Sequence, residues 1–151
     1  MAGDLAGGRR DRADAATRGD QVVIISAQIE EELATLSDEE ALDYLKELGL
    51  EQTGLARLIR ASFDALGLLT FFTTGEMETR AWTIERGTRA PQAAGKIHTD
   101  IERGFIRAEV VTYDDFITCG GRARAKEVGK VRLEGKTYEV ADGDVILFYH
   151  N

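Results

Sequence analysis

Residues 83–110 read, in order, as strand, tight turn, short helix, reversal and strand. That order limits the possible folds more than anything else in the chain, because it is the centre of a β-grasp unit. Residues 69–73 open the unit as a strand, and residues 80–84 return beside it across a turn at Gly75. Pro91 suits the first turn of a helix, where a missing N–H leaves nothing unpaired. Ala93, Ala94, Ile97 and Ile101 then give an apolar stripe. Gly104 allows the reversal into Ile106, Ala108 and Val110, which period-two spacing assigns to one strand face. Residues 114–127 read as loop and short helix. Residues 131–134 and 136–140 read as a hairpin around Gly135, and Asp142-Gly143-Asp144 turns into a last strand at 145–148. The expected fold class is α+β, with this β-grasp (ubiquitin-like) unit spanning residues 67–151.

The segment before it has a different character. Val22-Val23-Ile24-Ile25 is a continuous apolar run, as expected of a strand buried on both faces of a parallel sheet. Ser37 and Glu40 form a capping box ahead of Ala41, Leu42, Leu45 and Leu48, and Gly49 supplies the stop. Thr53 is placed to cap a further helix carrying Leu55, Leu58, Ile59, Ser62 and Leu66 and ending at Gly67. One strand makes no parallel sheet, so residues 21–66 read as the closing piece of an α/β domain, with residues 22–25 an exposed, adhesive edge. Residues 1–20 hold one leucine, Leu5, and no aromatic side chain, too little apolar surface to offset ordering. A disordered or frayed tail is expected there, and Asp11 and Asp14 among Arg9, Arg10 and Arg12 argue against a nucleic-acid patch.

Charge is distributed unevenly. The net charge is −8, but residues 28–66 carry ten acids against three bases while residues 67–151 carry thirteen against twelve. The acidic helices read as solvated surface. The nearly balanced C-terminal part can present a basic face that the overall charge hides. No apolar run approaches the roughly 18 residues of a membrane-spanning helix, and no signal-peptide core follows the N-terminal arginines. The single cysteine, Cys119, allows no internal disulfide and suits a reducing cytoplasm.

Chemistry-bearing motifs are few. The stretch from Gly129 through Gly135-Lys136-Thr137 invites comparison with a phosphate-binding loop, but five residues separate the glycines where the loop needs four. Such a loop must also lead into a helix, whose N-terminus and backbone N–H groups hold the phosphates. Residues 138–140 alternate like a strand instead. His98, beside Asp100, reads as a helix-end side chain capping the last carbonyls, with no serine or cysteine nucleophile at a motif spacing. His150 lies at the terminus, and a zinc site would need carboxylates besides the two histidines and Cys119. Phe71, Phe72, Trp82, Phe105 and Phe148 sit on strands and read as core rather than base-stacking platforms. Arg80, Arg86, Arg89, Lys96, Arg103 and Arg107 form the densest basic set. They are either solvated surface or an RNA face contacting phosphates.

Residues 80–100, 104–110, 113–115, 133–138 and 142–146 together resemble one family: the C-terminal part of the YchF, or Obg-like, ATPases. The resemblance runs from about Val22 to the C-terminus. It implies that residues 67–151 are a TGS domain and residues 21–66 the end of a P-loop nucleotide-binding domain. Family members hydrolyse ATP with magnesium and associate with ribosomes, and TGS domains are common in proteins that work on tRNA or the ribosome. By the same resemblance Ser26, Ala27 and Gln28 correspond to the last base-contacting motif and would line a purine pocket, although a serine in that place is also a plain helix cap. Because the phosphate loop, switch segments and coiled-coil insertion are missing, the expectation is a truncated, cytoplasmic protein. Alone it is expected to bind no cofactor and hydrolyse no ATP. Its expected partners are the ribosome or RNA, or the missing nucleotide domain, with no membrane. A fragment completed by that domain and a ubiquitin-like protein-interaction adaptor are the alternatives.

Overall fold

A helix lined with alanines can settle close onto a sheet, and the C-terminal unit is built around such a contact. The computed structural model describes residues 15, 17, 18, 20–75 and 78–151. The expected tail over residues 1–20 lies largely outside them. The chain divides into two compact units, Met1–Ala65 and Leu66–Asn151.

In the second unit, β1 (Leu68–Thr74) and β2 (Thr79–Glu85) form an antiparallel pair, with Leu69 opposite Ile84 and Phe71 opposite Trp82. Helix α4 (Ala90–Ile97) follows with Pro91 in its first turn, and after a break at His98 comes α5 (Thr99–Arg103). Then follow β3 (Phe105–Thr112), α6 (Tyr113–Cys119), α7 (Arg122–Glu127), β4 (Arg132–Glu134) and β5 (Asp144–His150). The sheet order is β2-β1-β5-β3-β4, with β1 and β5 parallel and the other neighbours antiparallel, the expected β-grasp arrangement in an α+β fold. Ala90, Ala93 and Ala94 are fully buried against Leu69, Phe71, Ile84, Phe105, Val110 and Ile146. Methyl groups at these positions let the helix backbone approach the larger sheet side chains without voids. The opposite sheet face carries a smaller cluster of Val111, Val145 and Ala125, flanked by Phe72, Phe116 and Cys119.

Two strand expectations in this unit need correction. Ile106 does not share a face with Ala108 and Val110: it is exposed, while Phe105 takes the buried place. The pairing of β3 with β5 slips between Phe105 and Arg107, and one extra residue in a strand reverses the faces of all that precede it. Nor do residues 136–140 pair with β4. Val140 N–H donates to the Thr88 carbonyl (3.0 Å), the Tyr138 carbonyl accepts from Ala90 N–H (2.9 Å), and Glu139 bridges Arg89. Val140 is buried with the main core and Tyr138 packs against it, so burial under the start of α4 wins over a local hairpin. Lys136 and Thr137 lie in a turn, not at a helix N-terminus.

In the first unit the order is α1 (Ala27–Leu33), α2 (Asp38–Glu47) and α3 (Gly54–Ala65). The Ser37–Glu40 capping box forms in full: Glu40 Oε2 accepts from Ser37 N–H (2.9 Å) and the Ser37 hydroxyl accepts from Glu40 N–H. Thr53 Oγ1 accepts from Ala56 N–H (3.0 Å), and Glu30 adds its carboxylate to the same helix start by accepting from Gly54 N–H (2.6 Å). The strand expected at residues 22–25 is absent. Those residues pair with no strand, the Ile24 carbonyl accepts from Arg57 Nη2 (3.0 Å) instead, and Val22, Ile24 and Ile25 are exposed. A strand exists only through hydrogen bonds to a neighbour, and among the described residues none lies beside this run.

Candidate nucleic-acid interface

The six basic residues singled out in the sequence do not share a surface. Trp82 packs toward α4, and the Arg80 guanidinium lies 4.3 Å over its ring, so Arg80 belongs to the helix-covered face. Arg86 follows β2, Arg89 occupies the N-cap of α4, Lys96 its last turn and Arg103 the last turn of α5. Arg107 lies across the sheet from Arg80. It opposes Tyr149 in register and its guanidinium sits 4.9 Å over that ring.

Around Arg107 the fold assembles groups distant in sequence. Glu109, two residues along the same face, is 5% exposed and accepts a hydrogen bond from Lys126 Nζ at 2.7 Å. Arg122 and Lys126 lie one helical turn apart on α7, and Ala125 between them is buried in the cluster beneath. Arg122 is electrostatically coupled to Glu109 and Tyr149, and Lys126 senses Arg107. Three cations thus surround one carboxylate beside a tyrosine on the less covered side of the sheet. Sequence reasoning found Arg107 and missed Arg122, Lys126 and Tyr149. The i, i+4 spacing of Arg122 and Lys126 around Ala125 was the one available signal.

The hydrogen bond from Lys126 holds the Glu109 carboxyl below its ordinary value of 4.5, against the opposing effect of burial and with help from the Tyr149 hydroxyl. The Lys126 ammonium is correspondingly raised. A carboxyl depressed in the folded state stabilises fully above its unfolded pKa and loses that contribution as pH falls through the folded value. Stability should therefore drop as the pH goes below about 4.5, and Glu109→Gln should flatten the drop. Urea titrations at stepped pH check this, and an unchanged slope in the variant would count against the pair.

The other candidates hold local structure. Ser26 is the N-cap of α1, its hydroxyl accepting from Ile29 N–H (3.4 Å), and Gln28 donates to Glu32 (3.0 Å). His98 caps an N-terminus, not carbonyls: its Nδ1 accepts from Asp100 N–H (3.2 Å) at the start of α5. Phe71 and Phe105 are buried, and Phe72, Trp82 and Phe148 pack against the two clusters. Among the described residues no three His, Cys, Asp or Glu side chains group as metal ligands, and no helix is long and apolar enough to cross a membrane.

Residues 68–151 match the family model YchF-GTPase_C, described as a protein of unknown function (DUF933). The chain is 55% identical over 140 residues to the ribosome-binding ATPase YchF of Bacillus subtilis (strain 168), covering 93% of this chain and 38% of that protein. It is 49% identical over 142 residues to Obg-like ATPase 1 of Rattus norvegicus, covering 94% and 36%. The solved structure of the Schizosaccharomyces pombe YchF GTPase superposes with a TM-score of 0.71 at 37% identity, over 87% of this chain and 34% of that one. The chain therefore spans less than two fifths of the length of these relatives.

Proposed function

Because the chain belongs to the YchF family of Obg-like ATPases and matches its C-terminal part, we propose that it acts as a noncatalytic TGS binding module that docks on the ribosome through RNA in the cytoplasm. The observation carrying this reading is electrostatic. A unit close to charge balance, within a chain of net charge −8, displays cations on both sides of one sheet. On the helix side these are Arg80, Arg86, Arg89, Lys96 and Arg103, and on the other Arg107 and Lys126, with the terminal nitrogens of Arg122 shut off from solvent beside them. Contacts of this kind give attraction to phosphate that weakens steeply with salt. The relatives named ribosome-binding ATPase support the partner.

A second reading has one observation in its favour. In the first unit Ile24, Ile25, Leu55, Leu58 and Ile59 are all exposed, more apolar surface than a finished helical face leaves open. This suits a fragment completed by a nucleotide domain, with Ser26, Ala27 and Gln28 reaching the purine there and Mg-ATP held by the added part.

One experiment tests both readings. The purified chain is sedimented with bacterial ribosomes at low and at high potassium chloride, with phosphate release from Mg-ATP followed in parallel, with and without the nucleotide domain of a relative. The expected result is co-sedimentation at low salt that high salt abolishes, and no phosphate release by the chain alone. Absence from the ribosomal pellet at low salt would overturn the binding module, and ATP turnover by the lone chain would overturn its noncatalytic character. Protection of Leu55, Leu58 and Ile59 from hydrogen exchange on adding the nucleotide domain supports the second reading, and no change in exchange refutes it.

A further inference from the structure

Arg122 sits where a guanidinium is costly. Both terminal nitrogens are shut off from solvent, and neither finds a hydrogen-bond acceptor. A buried donor without an acceptor costs about 1–3 kcal/mol, and native folds tolerate few of them. Its natural partner, the Glu109 carboxylate, is already engaged by Lys126. Burial pulls the Arg122 guanidinium below its ordinary value, and the nearby Glu109 and Tyr149 only partly restore it. The charge is thus held on the sheet with both terminal nitrogens idle.

The surroundings say what would use those donors. Arg107, its guanidinium 4.9 Å over the Tyr149 ring, presents a second planar cation on the same face. Leu147 on β5 and Leu133 on β4 are exposed there. Lys126 neutralises the carboxylate within the group, so Arg107 and Arg122 remain as uncompensated charges. A planar guanidinium matches the paired oxygens of a phosphate. A tyrosine and aliphatic side chains beside these cations offer stacking and apolar contact to unpaired bases.

We propose that this sheet face, not the helix-covered one, grips single-stranded RNA, with Arg122 turning outward to hold a phosphate bidentately and Arg107 holding the next along the strand. Lys126 stays on Glu109 as a positioning residue that leaves Arg122 without a carboxylate partner. This rests on the ribosome-binding reading above and specifies the face that performs it.

The test is anisotropy of a fluorescein-labelled oligouridylate titrated with the chain at several salt concentrations. The double variant Arg107→Gln with Arg122→Gln leaves the Glu109–Lys126 pair intact. It should lose about a hundredfold in affinity, as two charge-assisted contacts imply, and the salt slope should fall by roughly 1.4. Arg86→Gln with Arg103→Gln, which removes two cations of the helix-covered face, should lose far less affinity than the first double variant, because those side chains add only longer-range attraction. Thermal melts establish that both variants fold. Should the first be unstable, Arg122→Lys keeps the charge and removes the fork, and should lose about tenfold in affinity at constant slope. If the parent binds and the helix-side variant is the one that fails, the ribosome reading stands and this inference falls. If the parent binds neither oligouridylate nor ribosomes, both fall. Tighter binding to poly-L-glutamate than to oligouridylate would also overturn the assignment to RNA.

Discussion

Phe71→Ala is expected to cost the C-terminal unit about 3–5 kcal/mol, the range for removing a fully buried aromatic ring. Phe71 is 0% exposed and lies on β1, between the hairpin partner β2 and the parallel neighbour β5. Its ring meets Phe148 edge-on at 6.0 Å and lies nearly parallel to Trp82 at 6.5 Å. Nothing nearby can fill the space, since the facing helix contributes Ala90, Ala93 and Ala94. A small domain has only about 5–15 kcal/mol in total, and each kcal/mol shifts the midpoint of a unit this size by roughly 4–8 °C. Thermal melting followed by near-ultraviolet circular dichroism should show a fall of about 15 °C or more. Phe71→Leu, which retains most of the volume, should lose less than half as much. A melting shift of only a few degrees in the alanine variant would mean that the core is not organised around this ring.

Asp144→Ala should be of similar severity for a different reason. Asp144 is 1% exposed at the start of β5. Its Oδ2 accepts from the Tyr138 hydroxyl (2.6 Å) and from Ala141 N–H (2.9 Å), while Arg132 Nη2 approaches Oδ1 at 3.5 Å. Alanine there leaves a part-buried hydroxyl and an N–H without their acceptor, while Arg132 keeps only the Tyr138 hydroxyl (3.0 Å) and Glu134 (3.5 Å). A donor left without its acceptor away from water costs about 1–3 kcal/mol, and two are left here. The loop over residues 135–143 and the short strand β4 would both lose their tie to β5. Burial, and next the bond to Asp144, push the Tyr138 phenol up to about 12. Tyrosine titration by ultraviolet absorbance should therefore show Tyr138 ionising at lower pH in the variant, a change that general loosening of a remote core would not produce. Unaltered titration together with near-parental stability would rule out the network.

Local chemistry made some of this architecture legible. The Ser37–Glu40 box, the Thr53 cap, the helix start at Pro91 and the β1–β2 hairpin each depend on residues within a few positions of one another, and each stands where the pattern put it. Patterns that required a distant partner misled. The apolar run at residues 22–25 had the composition of a strand but no neighbour to pair with. The alternation at 136–140 is used for burial beneath α4, where a single bridge to Arg89 suffices. Ile106 obeyed the period of two until a bulge inserted one residue.

The interface shows the same division. Composition and spacing implied a near-neutral, strand-rich unit following an acidic helical segment in sequence, with a stock of arginines and no phosphate loop, and the resemblance of particular stretches implied its family. Which arginines work together was decided only by folding. Arg80 and Arg107 separated because successive strand residues point to opposite faces, while Arg107, Arg122 and Tyr149 met because the β3–β5 register and the docking of α7 brought them together. Period and capping are properties of neighbouring residues and survive in a linear reading. Register is set by long-range pairing, and a shift of one residue moves every side chain of a strand to the other face.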